Sequence, residues 1–388
     1  MNTPDPIALA QALIRCPSVT PADAGALGVL EAVLTPLGFA CHRLKFEESG
    51  TAPVENLYAR IGTQGPNFCF AGHTDVVPPG DAKLWRHDPF AAVIDNGALH
   101  GRGAADMKSA IAAFVTAASR FLATGRPFGS ISLLITGDEE GIAINGTAKV
   151  LGWLAERGER LDHCVVGEPT SETRAGDTIK IGRRGSLNTR VVVRGTQGHV
   201  AYPKRAANPL PAMAALVSLL SSQVLDSGNE HFDPSTLAFT TIDTGNAATN
   251  VIPAEVKAGF NIRFTDQHTP DSLRARITKA VATIRQQFGC EIETSFQLSG
   301  VSFLTAPGPF TELLAGAVRT VTGTTPQYST TGGTSDARFI KDYCPVAELG
   351  LSNATMHKAN ECAKIEDIRV LTDIYTQVLG SYFAATPR

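Results

Sequence analysis

Imidazole and carboxylate side chains at five positions of this sequence could together hold metal ions. They are His73, Asp106, Glu140, Glu168 and His357. Zinc accepts imidazole nitrogen and carboxylate oxygen as ligands, at about 2.0 to 2.2 Å. Two histidines and three carboxylates are enough for two divalent ions when one carboxylate bridges them. Asp106 is the predicted bridge, with one ion on His73 and Glu168 and the other on Glu140 and His357.

A pair of ions about 3.5 to 4 Å apart favours hydrolysis, because it lowers the pKa of a shared water and polarises a carbonyl group. Glu139 stands directly before Glu140, so one carboxylate of this pair can bind metal while the other moves protons. Asp75 follows His73 by two residues and is placed to hold the second ring nitrogen of that histidine. These residue types predict a metal-dependent hydrolase.

Three of the five candidate ligands end or follow short apolar runs, which are typical of buried strands. The runs are residues 67–73, 130–136 and 161–167, beside His73, Glu140 and Glu168. In an open α/β sheet, ligands bind at the edge formed by the carboxyl ends of the strands. Asp106 follows a glycine-marked turn at 101–103 and opens a predicted helix over residues 105–122. The pattern therefore predicts that these side chains converge at one edge of a sheet.

The order of predicted elements indicates one domain interrupted by another. Helices and strands alternate from residue 7 to about 183, as in a doubly wound α/β sheet. Residues 184–298 predict strand, helix, strand, strand, helix and strand, at 187–194, 209–225, 235–242, 255–264, 272–288 and 291–297. That order is the ferredoxin-like arrangement. We predict an α/β catalytic domain of residues 1–183 and 299–388, interrupted by an inserted lid and dimerisation domain of residues 184–298.

Composition excludes several classes of protein. The chain has 388 residues, 43% of them hydrophobic, and a formal net charge of -3. It contains no run of basic and aromatic residues typical of nucleic-acid binding, no signal-peptide pattern and no apolar stretch near the ~20 residues that span a bilayer. Seven cysteines without a Cys-x-x-Cys pair suit a reducing cytoplasm and argue against a thiolate zinc site. The expected partner is a small-molecule substrate.

Four motifs resemble those of the M20 family of metallopeptidases and deacylases. They are Gly72-His-Thr-Asp-Val-Val-Pro-Pro-Gly80, Gly101-Arg-Gly-Ala-Ala-Asp-Met-Lys108, Thr136-Gly-Asp-Glu-Glu-Gly141 and Gly167-Glu-Pro-Thr170. The resemblance runs nearly end to end. It implies the same grouping of metal ligands, with zinc as the expected ion and cobalt as the alternative. It also implies that Glu139 is the general acid and base.

Four further motifs resemble the desuccinylase branch of that family. They are Lys180-Ile-Gly-Arg-Arg-Gly-Ser186, Gly198-His-Val-Ala-Tyr-Pro203, Thr331-Gly-Gly-Thr-Ser-Asp-Ala-Arg338 and Asn353-Ala-Thr-Met-His-Lys-Ala-Asn-Glu361. The resemblance implies hydrolysis of the amide bond in N-succinyl-LL-2,6-diaminopimelate. The products, succinate and LL-2,6-diaminopimelate, belong to lysine and diaminopimelate biosynthesis.

The same resemblance implies roles for residues of the inserted domain and its neighbours. His199 and Asn250 are expected to reach the active site of a neighbouring subunit and stabilise the oxyanion, which requires a homodimer. Arginine suits a carboxylate because its planar fork makes paired hydrogen bonds. The expected substrate-binding residues are Arg183 and Arg263, with the polar neighbours Ser186, Gly333, Thr334 and Asn353.

Two other functions are compatible with these motifs. One is another deacylase or dipeptidase of the same fold, such as an acetylornithine deacetylase, with the same metals and a different acyl pocket. The other is a non-catalytic binding protein of this fold, which would have lost a metal ligand or Glu139.

The run 331–334 does not predict a phosphate-binding loop, because it lacks the Gly-Lys-Ser/Thr ending.

Overall fold

The computed structural model describes residues 3–125 and 129–384. Its strands are, in chain order, β1 Ala40–Phe46, β2 Val54–Ile61, β3 Asn67–His73, β4 Val93–Asp95, β5 Ala98–His100, β6 Ser130–Thr136, β7 His163–Val166, β8 Thr178–Lys180, β9 Gly182–Arg183, β10 Gly185–Arg194, β11 Gly198–His199, β12 Thr236–Asp243, β13 Val251–Ile252, β14 Glu255–Phe264, β15 Glu291–Gly300, β16 Phe303–Leu304, β17 Gln327–Ser329, β18 Val346–Glu348 and β19 Cys362–Lys364. Its α-helices are α1 Pro6–Ile14, α2 Ala26–Leu34, α3 Lys108–Ala123, α4 Thr147–Glu156, α5 Leu210–Ser221, α6 Pro270–Phe288, α7 Pro309–Thr322, α8 Ala337–Ile340 and α9 Ile365–Ala384.

The chain is divided into two compact structural units. The first contains Met1–Ile181, Thr305–Ser329 and Ser335–Arg388, and the second contains Gly182–Leu304 and Thr330–Thr334. The second unit is thus slightly longer than the insertion of residues 184–298 that the sequence predicts. Arg183, Gly333 and Thr334 fall outside that predicted insertion but belong to the second unit. The reason is local pairing, since Arg183 on β9 pairs with Phe303 on β16.

The first unit is built on an eight-stranded mixed sheet of order β1-β2-β6-β3-β7-β18-β8-β17. Its centre is parallel, because β3 pairs in parallel with both β6 and β7, and β7 with β18. At one side β1 and β2 are antiparallel to their neighbours. The carboxyl ends of β3, β6 and β7 therefore lie at the same edge of the sheet.

Helices cover both faces of this sheet. Successive side chains of a strand point to opposite faces. On β3, Phe70 stacks on Phe114 of α3 and meets Tyr375 of α9 edge to face. On the other face, the side-chain amide of Asn67 donates to the carbonyl of Arg160, just beyond α4. Burial on both faces explains why these strands appear in the sequence as continuous apolar runs.

The second unit has a four-stranded antiparallel sheet of order β12-β14-β10-β15. In chain order its elements are strand, helix, strand, strand, helix and strand, which is the ferredoxin-like arrangement predicted for the inserted region. Apolar side chains of β10 and β14 pack against α5 and α6 in a core that includes Leu187, Phe260 and Ile277. A Thr269 and Ser272 capping box begins α6, and Gly289 at a φ of 61° ends it.

No helix within residues 3–125 and 129–384 combines the length and apolar character needed to cross a bilayer.

Candidate metal centre

The carboxyl edge of the first unit's sheet carries three of the candidate ligands. His73 is the last residue of β3, Glu140 lies in the loop after β6, and Glu168 follows β7. His357 reaches the same place from the loop before β19. The strands position these side chains because their apolar runs end at this edge and polar loops begin there.

Asp106 presents one carboxylate oxygen to each of two histidines. Its Oδ1 lies 3.1 Å from Nε2 of His73, and its Oδ2 lies 3.1 Å from Nε2 of His357. Nε2 of His73 is also 3.7 Å from Oε1 of Glu168, and Nε2 of His357 is 2.8 Å from Oε1 of Glu140. The geometry groups the five residues into the two predicted sets, which share Asp106.

Glu139 borders the same cluster. One of its carboxylate oxygens lies within 4.8 Å of ligand atoms of both His73 and Glu168. Ligand atoms of Glu140, His73 and Asp106 also lie within 4.8 Å of one another. The carboxylate of Glu139 is thus next to the ligands but makes no hydrogen bond to either histidine.

Spacing and charge both fit divalent ions. Two tetrahedral ligands about 2.1 Å from one ion are about 3.4 Å apart, and the ligand distances here run from 2.8 to 3.7 Å. Four carboxylates face two imidazoles, so the ligand set is anionic once its side chains are deprotonated, as metal binding requires. Oε1 of Glu168 is buried and has no hydrogen-bond partner in the part of the chain that the structure describes. A cation would neutralise the charge and occupy that oxygen.

Asp75 has a different geometry from the one predicted for it. Nδ1 of His73 lies 2.9 Å from the main-chain oxygen of Asp75, whereas its carboxylate Oδ1 is 3.7 Å away. The carboxylate instead accepts hydrogen bonds from the amides of Glu139 and Glu140, at 3.2 and 3.0 Å. The carbonyl therefore orients the imidazole with Nε2 towards the ligands. The carboxylate fixes the loop that carries the two glutamates.

Asp106 lies in a turn rather than on the predicted helix, because α3 begins at Lys108. The intervening Met107 is fully buried. A Cβ on Gly72 would lie 2.5 Å from the methyl carbon of Met107, and a Cβ on Gly167 would lie 2.7 Å from it. Glycine precedes His73 because the Met107 side chain occupies that space, and it precedes Glu168 because Met107 and Phe70 together occupy the space there.

Contacts among these groups shift their pKa values when no ion is bound. Burial alone would lower the pKa of His73, but the hydrogen bond and charge of Asp106 raise it well above its ordinary value. Hydrogen bonds to Asp106 and Glu140 raise the pKa of His357 to about 10. Burial would raise the pKa of Asp106, yet hydrogen bonds from the two histidines hold it below its ordinary value.

We expect metal binding to release protons. At neutral pH an imidazole with a pKa of about 10, as in His357, is protonated, and a metal ion binds only the neutral form. Apparent affinity should therefore rise as pH increases from about 6 to 9, by about tenfold per pH unit for each proton displaced. Calorimetric titrations in buffers of different ionisation enthalpy measure the number released. Ion binding without proton release in this range would contradict the prediction.

Two predicted catalytic residues lie side by side in the second unit. His199 on β11 pairs with Val251 on β13, and the amide of Val200 donates to the carbonyl of Asn250 at 3.1 Å. The amide of Ala201 donates to Nδ1 of His199 at 3.0 Å. Nδ1 is therefore an acceptor, and the neutral ring carries its proton on Nε2. The exposed His199 ring thus offers an outward hydrogen-bond donor.

Arginines of the second unit form a cluster of positive charge. Arg263 lies opposite Ser186 in the β10–β14 ladder. Burial, together with the charges of Arg184 and Arg183, lowers the pKa of Arg263. One terminal guanidinium nitrogen of Arg263 is buried without a hydrogen-bond partner among the described residues. This unused donor beside two further cations suits a carboxylate ligand.

The segment Thr330–Thr334 lies against this cluster. Arg183 donates to the carbonyl of Thr331 at 3.1 Å. A Cβ on Gly332 would lie 2.4 Å from a guanidinium nitrogen of Arg183, so this glycine lies directly against that side chain, and Gly333 and Thr334 follow it along the chain. Asn353 belongs to the first unit, where its amide donates to the carbonyl of Ser171 at 2.9 Å.

Two buried charged residues beside the metal ligands had no predicted role. They are Arg102 and Glu361, whose side chains are 3% and 0% exposed. Arg102 lies in the motif Gly101–Lys108 and Glu361 in the motif Asn353–Glu361, but single letters in a motif do not reveal that two side chains far apart in sequence form a buried pair.

Comparison with known proteins identifies the family. Residues 69–381, more than half of the chain, match Peptidase family M20/M25/M40. A succinyl-diaminopimelate desuccinylase of Rhodospirillum centenum is 59% identical over 387 residues, covering 99% of this chain and 99% of that protein. A protein of the same name from Parvibaculum lavamentivorans is 57% identical and covers 98% of this chain and 96% of its own.

Solved structures of lower sequence identity share the fold. A tripeptidase from Staphylococcus aureus superposes with a TM-score of 0.81 at 19% identity and covers 100% of both chains. Aminopeptidase PepT from Bacillus cereus has a TM-score of 0.79 at 20% identity, covering 98% of this chain and 99% of its own. From the match over residues 69–381 and the full-length relatives, the chain belongs to peptidase family M20/M25/M40.

Proposed function

We propose that this chain hydrolyses N-succinyl-LL-2,6-diaminopimelate to succinate and LL-2,6-diaminopimelate. The observation that carries this proposal is the 59% identity, over nearly the whole of both chains, to a protein named for that reaction. The chain also retains all five candidate metal ligands and Glu139. This retention argues against a non-catalytic binding protein of the same fold.

We propose that the centre would hold two divalent ions, with Asp106 as a ligand common to both. His73 and Glu168 would hold one ion, and Glu140 and His357 the other. When bound, such a pair of ions lowers the pKa of a water and polarises the amide carbonyl. Zinc or cobalt suits the ligand set of imidazole and carboxylate.

Glu139 is the proposed general base and then general acid. Its carboxylate lies beside the ligands, and the Asp75 carboxylate holds its main chain through the amide of Glu139. Burial raises the pKa of Glu139 well above its ordinary value, although the charge of His73 opposes this. In the proposed reaction Glu139 accepts a proton from the attacking water and returns it to the leaving amine.

The arginine cluster is the proposed site for substrate carboxylates. Succinyl and diaminopimelate groups both carry carboxylates, and Arg263 has an unused buried donor. Arg183 and Ser186 adjoin Arg263 in the second unit. Gly333, Thr334 and Asn353 are proposed as further polar contacts to the substrate.

We expect Arg263→Met to raise KM for the succinyl substrate by about 10-fold to 100-fold, because a hydrogen bond to a charged group contributes about 1.5 to 3 kcal/mol. Arg194→Met is the matched control, since Arg194 lies on β10 of the same sheet but is exposed and paired with Glu255 and Glu293. Steady-state kinetics of both variants test this. An unchanged KM in Arg263→Met would remove Arg263 from the substrate site.

His199 and Asn250 are the proposed oxyanion donors, acting from a neighbouring subunit. Their adjacent positions and the Nε2 proton of His199 support this role. The proposal requires a homodimer, and it rests on the resemblance together with this local geometry.

The test of function is hydrolysis by the zinc-loaded protein of N-succinyl-LL-2,6-diaminopimelate and, in parallel, of N-acetylornithine. Succinate release that is selective and lost on chelation is the expected result. Preference for the acetyl substrate would replace the proposed activity by that of a related deacylase. No hydrolysis of either substrate would contradict both.

A further inference from the structure

Arg102 and Glu361 form a buried ion pair that contacts several segments carrying the candidate metal ligands. The Arg102 guanidinium donates to Oε2 of Glu361 at 2.5 Å. The two side chains are almost completely buried in the first unit. Two buried charges carry a desolvation cost that their attraction offsets only with good geometry. The pair lies beside the segments that carry Asp106 and His357, and its hydrogen bonds to those segments can fix their backbones.

Glu361 accepts three main-chain hydrogen bonds on a single oxygen. The amides of Gly103, Ala105 and Asp106 donate to its Oε1 at 3.1, 3.0 and 3.2 Å. This segment is a turn, so neither a helix nor a sheet provides partners for those amides. Buried amides need acceptors, and several main-chain amides that converge on one point make a binding site for an anion. The carboxylate thereby fixes the backbone of Asp106, the proposed bridging ligand.

Arg102 makes the corresponding contacts with carbonyl groups. Its guanidinium lies 3.5 Å from the carbonyl of His357, 3.3 Å from that of Lys358 and 3.4 Å from that of Pro78. His357 has a φ of 62°, a conformation that residues other than glycine rarely adopt. Such a backbone persists only when its surroundings hold it. Arg102 provides part of that support.

A short strand ladder places the pair. On β19, Cys362 pairs with His100 of β5, and the amide of Gly101 donates to the carbonyl of Glu361 at 2.9 Å. Asp106 follows β5, and His357 precedes β19. Both loops therefore leave from the same ladder, and the ion pair connects them just beyond it.

We propose that Arg102 and Glu361 are positioning residues. They hold Asp106 and His357 in the geometry needed to bind the ion assigned to Glu140 and His357, which is called the second ion below. The inference rests on the proposed assignment of that ion to Asp106, Glu140 and His357. It requires an anion at position 361, because four donors converge on this carboxylate. Glutamine would fit the space but would turn an N–H group towards either Arg102 or the three amides.

Two variants and two matched controls test the proposal. Glu361→Gln retains shape and loses the anion, whereas Arg102→Lys retains the charge and loses the planar fork. The controls are Glu159→Gln and Arg60→Lys, which make the same changes in another Arg–Glu pair of the first unit. That pair lies at 19% exposure on each side and contacts none of the ligands. Circular dichroism and Tm report folding of each variant.

The measurement is titration of metal-free protein with Co²⁺, followed by visible absorption and calorimetry. We expect the unmodified protein, called the parent here, to bind two Co²⁺ ions. The variants Glu361→Gln and Arg102→Lys should bind the second ion about 10-fold to 100-fold more weakly than the parent does. The absorption spectrum of the second equivalent should change, while the controls match the parent. If Glu361→Gln does not fold, Arg102→Lys alone decides.

Three outcomes would overturn the proposal. Parental affinity for both ions in either folded variant would show that the pair does not position the ligands. An equal loss in the controls would indicate a general effect on stability. A parent that binds only one ion would contradict the two-ion assignment itself, which separates failure of the proposed centre from failure of the ion pair's role.

Discussion

Glu139→Gln should lower kcat by about 10²-fold to 10⁴-fold, which is the range for loss of a general acid and base. Glutamine has nearly the same shape but cannot accept a proton from water. Both metal ions should remain bound, because the proposed ligands are other residues. Measured kcat together with metal content by elemental analysis tests this. Near-parental turnover would remove Glu139 from the proposed role.

The neighbouring residue provides the matched control. Glu140→Gln makes the same chemical change one position later, where the carboxylate lies 2.8 Å from Nε2 of His357. This variant should lose occupancy of one ion, because a neutral amide is a poor replacement for a carboxylate ligand. Two ions retained in Glu140→Gln would contradict the ligand assignment. The pair of variants therefore separates proton transfer from metal binding at adjacent positions.

The strand ends were predictable from sequence, because a buried parallel strand is an unbroken apolar run and a polar residue beyond it marks the edge. His73, Glu140 and Glu168 are all of this kind. The ferredoxin-like order of elements was predictable for a related reason. Strands such as β14 alternate between buried and half-exposed residues, and α6 has clear caps at both ends.

Contacts that depend on loop backbones were not predictable. The start of α3 at Lys108 depends on the turn that holds Asp106, and this turn depends on Glu361, which lies 255 residues further along the chain. Likewise, the Asp75 carboxylate accepts hydrogen bonds from two amides of the loop after β6 rather than from the nearby imidazole. Sequence spacing shows which residues are available, whereas hydrogen bonds to distant main chain appear only in the fold.

His199 shows how local geometry sharpens a role that the motif only suggests. The amide of Ala201 occupies Nδ1, so Nε2 is the donor in the neutral ring. His199→Ala should lower kcat by about 10²-fold to 10³-fold and change KM little, because an oxyanion donor acts mainly in the transition state. His42→Ala is a control, since His42 is exposed in the first unit. A rise in KM with kcat unchanged would contradict the role.

Mixing two inactive variants tests whether His199 acts across subunits. In a mixed dimer of Glu139→Gln with His199→Ala, one site would combine an intact Glu139 with an intact His199 from the other subunit. Random exchange in a symmetric dimer should then restore about a quarter of the parental activity. If His199 served its own subunit, each mixed dimer would contain two defective sites, because one lacks Glu139 and the other His199. Recovery of activity therefore requires a donor from the partner, and no recovery after verified subunit exchange would confine each active site to one chain.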